Sequence, residues 1–537
     1  MDDWGVTGAA RSISSFWDIG KIYSPLNIYR PLAQPILTFA SAAFKTYAPA
    51  YIIFHLSFFI SAILLSSAVF RKVFGFRFAL IFALFAAMPI ISSSFIFSPA
   101  MQLIAGVSIF GWALSFWLLH NYLERGDKKY LYWSYLVLFL FLLVYEIILP
   151  LIVATLFLPI IVYRKRIGIP DKSAWISFWK HVFWLSCILI TIFVYQKMIA
   201  PHFFGVSYSR FGASLSFGSL LRGAASIQSW LIAMFGDLPR LLYRGIAHFG
   251  YPLLARMDWW ILLFLIISIF WLISKLPKIS DTSIRYVFLF AGAVFLAGAS
   301  LYFLSGATAS LSGYENRGLS SSWFGIALLF AAIGEKLART KFFVVIPIVL
   351  ILVVTVFLAQ RDAYINSNTL QKEILKDVVE KISRQDGRNN LIVLGNVPWY
   401  MKNNFNNEAV FIVSWDFGAA VDMVSGGKIA NGNELQIQKI HGGLVKLMDD
   451  KIVLDDGWEI GSDKLDKLYY YEFNIQNGES SLIKVDSFKN FQNIVTGIEN
   501  HPINDIPSKE LNTLAGVKIF EKQILTSLGV KRFWQSQ

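Results

Sequence analysis

The chain contains 537 residues, of which 55% are hydrophobic and only 15% charged, whereas soluble domains average about 25% charged residues. This composition excludes an ordinary soluble enzyme, and a single cysteine excludes a disulfide scaffold. The chain has a net charge of +13, and its positive excess lies in residues 1–360, which hold 28 Lys and Arg against 12 Asp and Glu, many of them in short basic loops between apolar segments. That pattern indicates a membrane protein with no nucleic-acid partner.

We predict ten membrane-spanning segments, given that the hydrocarbon core of a bilayer needs roughly 20 residues per helix. They lie near 49–70, 77–97, 100–123, 131–145, 147–163, 179–199, 257–274, 284–306, 320–337 and 341–359. The fourth and fifth segments share one apolar run that contains Glu146 and Pro150. We therefore expect two short helices that meet at a polar turn.

The basic loops fall on one side of the membrane, which the positive-inside rule assigns to the cytoplasm. Residues 1–48, the loop 200–256 and everything after residue 360 are then outside. We expect a further helix before Met1 to carry residues 1–48 across, and the alternative is a short tail that lies outside without one. Acidic residues on the cytoplasmic side, including Glu124 and Glu335, are predicted to be solvated or ion-paired surface charges.

Residues 361–537 have the composition of a soluble domain, with 20 Lys and Arg against 23 Asp and Glu. Apolar residues at helical spacing over 363–383 predict an amphipathic helix that leaves the membrane, and 391–394 and 409–415 predict buried strands. The predicted fold is a polytopic α-helical membrane protein. It has an outer loop (1–48), a transmembrane domain (49–360) and a small extracytoplasmic α/β domain (361–537).

Seven acidic residues lie on the predicted outer face, namely Asp2, Asp3, Asp18, Glu146, Asp237, Asp258 and Glu315. A carboxylate at the membrane surface, such as Asp2 or Asp3, can take a proton from an incoming hydroxyl, and a solvated acidic terminus is the simpler alternative. The adjacent pair could also hold a divalent cation, for which two acids are weak evidence. Glu146 lies inside an apolar run, so it should face a partner or a substrate.

Several short motifs occur in a characteristic order along the chain. Asp2-Asp3 precedes Tyr29-Arg30-Pro31-Leu32, Phe54-His55-Leu56 opens the next helix, and Tyr145-Glu146 and Tyr314-Glu315-Asn316-Arg317 follow. In this order they resemble the bacterial members of the GT-C superfamily of glycosyltransferases, which depend on polyprenyl-phosphate sugars. The resemblance covers most of residues 1–420.

The resemblance implies an active site outside the cytoplasmic membrane, a sugar donor linked through phosphate to polyprenol, and a glycan or glycolipid acceptor. It assigns the role of general base to Asp3 or Asp2, and it places Arg30 near the donor phosphate. Arg30 could instead bind lipid headgroups, as arginines near a membrane surface do. A single displacement by the acceptor hydroxyl would invert the anomeric centre, and no cofactor is assigned.

The other predicted substrate-binding residues share a polar side chain near the outer face. They are Tyr29, His55, Glu146, Asn316 and Arg317. His55 could equally be a histidine packed between helices, and Glu146 could be a structural ion-pair partner.

Two other functions also fit the sequence. Basic residues in the loop 200–256 suit a surface-polysaccharide polymerase or ligase, and the apolar segments suit a flippase for lipid-linked glycans or another transporter. Transporters place polar sites near the bilayer midplane, where only Glu146 is a candidate. The leading interpretation is a glycosyltransferase in the bacterial cytoplasmic membrane, surrounded by membrane lipids.

Overall fold

The computed structural model describes most of residues 29–383 and short segments beyond them. The described residues are 29–98, 102–167, 172–200, 202, 217–245, 257–275, 284–307, 309–311, 314–338, 340–383, 391–395, 400–402, 407–409, 420–421, 424–425, 445–448, 451–454, 459–461, 468–473, 479–484, 487, 489–490 and 493. Residues 2–362 form one compact unit and residues 363–537 form a second.

Apolar helices make up most of the first unit, because backbone N–H and C=O groups in a bilayer must be bonded within the protein. They are α1 (Ala33–Phe44), α2 (Ala48–Phe74), α3 (Phe76–Ala86), α4 (Ser93–Phe97), α5 (Leu103–Arg125), α6 (Lys128–Leu142), α7 (Ile152–Ile167), α8 (Lys172–Val194), α9 (Phe217–Ile232), α10 (Met257–Ser274), α11 (Ile284–Ala297), α12 (Ala299–Ser305), α13 (Ser320–Leu337) and the start of α14 (Val345–Ser383). Short 3₁₀ or π turns interrupt this series at Ile90–Ser92, Glu146–Leu151, Tyr195–Ile199, Ala233–Asp237, Tyr314–Leu319 and Lys341–Val344.

Seven helical segments among the described residues are long and apolar enough to cross a membrane, so the chain is a helical membrane protein. They are Ala48–Phe74, Phe76–Phe97, Leu103–Arg125, Glu146–Tyr163, Trp175–Val194, Arg285–Ser305 and Lys341–Ile382. The remaining predicted spans coincide with helices α6, α10 and α13, which are not among these seven. The total of ten spans stays a prediction.

Contacts between the helices define two ends of the first unit. Helices α2 and α5 run in the same direction, because Lys72 near the end of α2 pairs with Glu124 near the end of α5, 3.2 Å apart. Helix α6 returns, so that Phe141 near its end packs against Gly111 of α5. We call the end that holds Lys72 and Glu124 the basic end. The opposite end lies about 35 Å away, given the 23 residues of α5.

The second predicted span is broken after Ala86, although the sequence pattern predicted one helix over 77–97. The break contains Pro89, which cannot donate a backbone hydrogen bond, and it exposes carbonyl groups that need other donors. The indole N–H of Trp323 donates to the Phe85 carbonyl, and the Gln360 side-chain amide donates to the Ile90 carbonyl, each over 2.8 Å. Side chains from α13 and α14 therefore stabilise the break.

Glu335 does not lie on the surface, contrary to the prediction from the sequence. Its side chain is 3% exposed and its Oε2 atom lies 3.9 Å from Nη1 of Arg77, whose side chain is fully buried. The Nε–H of Arg77 also donates to the Ile273 carbonyl over 3.1 Å. This arrangement joins the start of α3 to the last turns of α10 and α13, because a buried charge needs close partners. Glu124, by contrast, lies on the surface as predicted.

The predicted amphipathic helix over 363–383 is confirmed as a helix, but it is not a separate element. It continues α14, which runs for 39 residues from Val345 to Ser383 without interruption. The second half of α14 buries Ile374, Val378 and Ile382, which are spaced four residues apart and so share one face.

The second unit contains short strands, which include the one predicted at 391–394. They are β1 (Leu391–Gly395), β2 (Tyr400–Lys402), β3 (Asn407–Ala409), β4 (Val445–Met448), β5 (Lys451–Leu454), β6 (Glu459–Gly461), β7 (Leu468–Phe473) and β8 (Ser480–Lys484). In the first sheet β7 is central, parallel to β1 and antiparallel to β8. The strand predicted over 409–415 is described only at Ala409, where β3 ends, and residues 410–415 lie outside the described residues.

A polar network within the second unit joins the end of α14 to this sheet. The Tyr471 hydroxyl donates to Oδ2 of Asp377 over 2.6 Å, and Nζ of Lys381 lies 3.2 Å from the same carboxylate oxygen. Lys381 also donates to the Ser480 carbonyl over 2.6 Å. Burial, together with the hydrogen bond to Asp377 and its negative charge, raises the pKa of Tyr471.

Candidate functional site

The end of the first unit opposite the basic end holds a guanidinium–carboxylate pair formed by Arg30 and Glu146. Nε of Arg30 donates to Oε2 of Glu146 over 2.8 Å, and Nη2 donates to Oε1, so the contact is bidentate. The Arg30 side chain is 14% exposed and that of Glu146 is 15% exposed. Both side chains of the pair are therefore mostly buried and keep a small exposed surface.

Three contacts from other elements fix the position of the Arg30 segment. The guanidinium carbon of Arg30 lies 4.3 Å from the centre of the Tyr145 ring, a cation–π contact. The backbone N–H of Leu32 donates to the Leu143 carbonyl over 3.4 Å, and the Gln196 side-chain amide donates to the Tyr29 carbonyl over 3.1 Å. Residues 29–32 are therefore bound to the end of α6 and to the π turn that follows α8.

Glu146 occupies a break between helices, as its place beside Pro150 in the apolar run predicted. Tyr145 has extended backbone angles, with φ −163° and ψ 129°, and Glu146 begins the 3₁₀ turn that ends at Leu151. Irregular backbone at membrane depth is tolerated where protein or a water-filled cavity surrounds it. Arg30 is the ion-pair partner that one interpretation of Glu146 required. A substrate contact by Glu146 stays a prediction.

Asn316 is also at this end, but its side-chain amide bonds to the protein. Its Oδ1 accepts hydrogen bonds from the backbone N–H and the hydroxyl of Ser94, and its Nδ2 donates to the Ser93 hydroxyl and the Leu311 carbonyl. These bonds join the 3₁₀ turn Tyr314–Leu319 to α4. The geometry gives Asn316 a structural role that the sequence did not indicate.

His55 is fully buried where α2 meets α5. Its ring centre lies 4.8 Å from that of Phe95, and a Cβ atom placed on Gly106 would come within 2.7 Å of its Nδ1 atom. The absence of a side chain at Gly106 thus makes room for the imidazole. This environment fits a histidine packed between helices, which was one of the two interpretations of the sequence.

The structure brings some of the predicted site residues together and does not describe others. Arg30 contacts Glu146 and the Tyr145 ring, and Tyr29 is its neighbour in the chain. The Glu146–Leu151 turn packs against α12 and α13, between which Asn316 lies in the sequence. Asp2 and Asp3 lie outside the described residues, as does the side chain of Arg317.

Gln196 and Tyr145 contact the Arg30 segment, and little in the sequence indicates their roles. Gln196 is a polar residue that follows an apolar run, which was the one available signal, and Tyr145 belonged to a quoted motif without an assigned role.

Within the part of the chain that the structure describes, no group of three or more His, Cys, Asp or Glu residues could hold a metal ion. Comparison with known proteins gives no matching family, no matching curated protein and no matching solved structure. The function must therefore be inferred from the site itself.

Proposed function

We propose that this protein is an integral-membrane glycosyltransferase that moves a sugar from a polyprenyl-phosphate donor to a lipid-linked or surface glycan on the outer face of the bacterial cytoplasmic membrane. The observation that carries the proposal is Arg30, whose guanidinium contacts Glu146 and the Tyr145 ring at the end opposite the basic loops. Its segment is bound to the end of α6 and to the π turn after α8. Under the positive-inside rule the end that holds Arg30 faces outward.

The chemistry of Arg30 suits a phosphate ester. A guanidinium presents N–H groups in a planar fork that matches two oxygens of a phosphate or carboxylate, which a lysine ammonium cannot do. Glu146 occupies such a fork in this structure, which demonstrates that the bidentate geometry is accessible at Arg30. The lipid chain of a donor would lie among the exposed apolar side chains of the helices, with its phosphate near Arg30.

The proposed reaction is a single displacement at C1 of the donor sugar. The acceptor hydroxyl oxygen forms a bond to C1, the bond from C1 to the phosphate oxygen breaks, and polyprenyl phosphate leaves with the electron pair. Asp3 or Asp2 takes the hydroxyl proton, and Arg30 neutralises charge that develops on the leaving phosphate. The resemblance of the motifs to the GT-C superfamily supports these roles.

The test is sugar transfer from a labelled polyprenyl-phosphate donor to membrane acceptors at equal protein abundance. We expect Asp2→Asn or Asp3→Asn to reduce transfer by about 10²-fold or more, as loss of a general base does. Arg30→Lys should reduce transfer while keeping the charge, and Glu124→Gln at the basic end serves as the matched control. Full activity of the double Asp variant refutes the assigned base, and no transfer by the wild type with any donor refutes the enzyme.

A second candidate is a transporter that moves a lipid-linked glycan across the membrane, and one observation favours it. The Arg77–Glu335 pair is a second arginine–glutamate contact, and it lies at the basic end, opposite Arg30 and Glu146. In a transporter, separation of one pair and then of the other would open the protein first to one side of the membrane and then to the opposite side. Movement of a labelled lipid-linked glycan between the leaflets of protein-containing vesicles, without any transfer, would select this function.

A further inference from the structure

Glu146 occupies the part of Arg30 that a ligand anion would use. The two N–H groups that face the carboxylate, on Nε and Nη2, form one bidentate edge of the guanidinium. A phosphate ester that binds the same edge must meet this carboxylate. The protein therefore contains its own anion at the position where the proposed function requires a foreign one.

The carboxylate can leave without disturbing the arginine. Glu146 is joined to the backbone by three rotatable bonds, so a change of rotamer moves its carboxylate and leaves the 3₁₀ turn in place. Arg30 keeps the Tyr145 ring against its flat face, and the backbone bonds at Leu32 and Tyr29 do not involve Glu146. Partial exposure of both side chains gives the displaced carboxylate access to solvent.

The charges at Arg30 favour a ligand that replaces the Glu146 carboxylate over one that binds beside it. With Glu146 in place, the pair has no net charge, and replacing the carboxylate by a singly charged phosphodiester preserves that balance. Adding the phosphodiester while Glu146 stays would place two anions against one guanidinium in a mostly buried position, where close like charges are costly. The ligand and the carboxylate should therefore compete for Arg30.

We propose that Glu146 is a displaceable internal anion that masks an oxyanion site on Arg30, and that a phosphate-bearing ligand binds by taking its place. The inference rests on the proposed function for the identity of the ligand, but the exchange itself needs only a phosphate oxyanion. If Arg30 is released from the carboxylate in about 1–10% of molecules, the apparent affinity is lowered about 10- to 100-fold.

Binding to the full-length protein in nanodiscs of phosphatidylcholine tests the exchange without any transfer assay. The probes are the methyl ester of a short isoprenyl phosphate, a phosphodiester with one negative charge, and inorganic phosphate, and a third arm replaces part of the phosphatidylcholine with phosphatidylglycerol. Glu146→Gln should bind one of these phosphates about 10- to 100-fold more tightly than the wild type. Arg30→Gln should abolish that binding, and Glu124→Gln should leave it unchanged.

Carbodiimide labelling of the wild type, read by mass spectrometry, checks the exchange without any substitution. Saturating isoprenyl phosphate methyl ester should increase labelling of the Glu146 carboxyl and leave that of Glu124 unchanged. Equal or weaker binding by Glu146→Gln with every phosphate source, or unchanged labelling of Glu146, overturns the proposal. If variants at Glu146 fail to fold, the labelling result decides alone.

The binding assay and the sugar-transfer assay together separate this inference from the proposed function. Tighter binding by Glu146→Gln together with no sugar transfer by the wild type supports the masked site and refutes the glycosyltransferase. Sugar transfer by the wild type with no gain in Glu146→Gln supports the enzyme and refutes the mask. Competition by phosphatidylglycerol or by inorganic phosphate, in place of the isoprenyl phosphate methyl ester, identifies the source of the oxyanion.

Discussion

Removal of one partner of the buried Arg77–Glu335 pair should destabilise the protein far more than removal of an exposed partner. At 3.9 Å, and with an effective dielectric constant of about 20, the attraction between the two charges is about 4 kcal/mol. Glu335→Leu also leaves the buried Arg77 charge uncompensated, for which losses of about 3–5 kcal/mol are typical. We therefore expect a loss of about 3 kcal/mol or more.

The Lys72–Glu124 pair provides the matched control at the same end of the unit. Its side chains are 48% and 37% exposed, so Glu124→Leu should cost less than about 1 kcal/mol. The double variant Arg77→Met with Glu335→Leu removes both buried charges, and its stability should lie closer to the wild type than that of either single variant.

The assay is unfolding by SDS in mixed micelles, followed by tryptophan fluorescence. If Glu335→Leu costs no more stability than Glu124→Leu, the buried Arg77–Glu335 pair does not stabilise the fold. A double variant as unstable as the sum of the two single variants would also contradict the reasoning, because it would show no coupling between the charges.

Three further predictions concern packing, the buried amide and pH. Gly111→Ala should destabilise the protein by about 1–3 kcal/mol, because its Cβ would overlap the Phe141 ring. Gly292→Ala, whose Cβ would have no atom within 4 Å, should not destabilise it, and thermal unfolding compares the two variants. Asn316→Ala should cost about 2 kcal/mol or more in the same assay, because it leaves buried polar groups without partners. Folding raises the pKa of Tyr471, so its contribution to stability is complete below about pH 10 and is lost as the pH rises further. Tyr471→Phe should therefore show a smaller fall in stability above about pH 10, measured by SDS unfolding.

The positions of the helices could be predicted from the sequence, and their interruptions only in part. Hydropathy depends on local composition, so the segments near 49–70, 100–123 and 179–199 correspond to helices of similar extent. Pro150 and Glu146 indicated the break between α6 and α7. Hydropathy does not reveal the break after Ala86, although Pro89 signals it, because the segment as a whole stays apolar despite Ser92, Ser93 and Ser94.

The contacts of the charged residues could not be read from the sequence. Glu335 follows an apolar run and precedes a basic loop, a context that predicts a surface charge, and only the packing of three helices buries it against Arg77. Arg30 and Glu146 are 116 residues apart, and nothing local to either indicates their pairing. Glu146 was predicted to need a partner, because an unpaired charge in an apolar run is costly, but the identity of the partner depends on tertiary structure.

The interruptions within apolar segments are not distributed evenly over the first unit. In the described residues, the turn at Glu146 and the π turn after α8 lie at the end that holds Arg30, whereas the break after Ala86 begins 11 residues, about 16 Å, from the start of α3 at the basic end and so lies near mid-depth. At the basic end, α5 closes with Gly126 in the left-handed conformation, an ordinary helix cap. Transporters place broken helices near the bilayer midplane, so that a site can open to either side. The break after Ala86 is the feature that a transporter would use, whereas the two interruptions beside Arg30 suit chemistry on one face of the membrane and are the reason to prefer an enzyme.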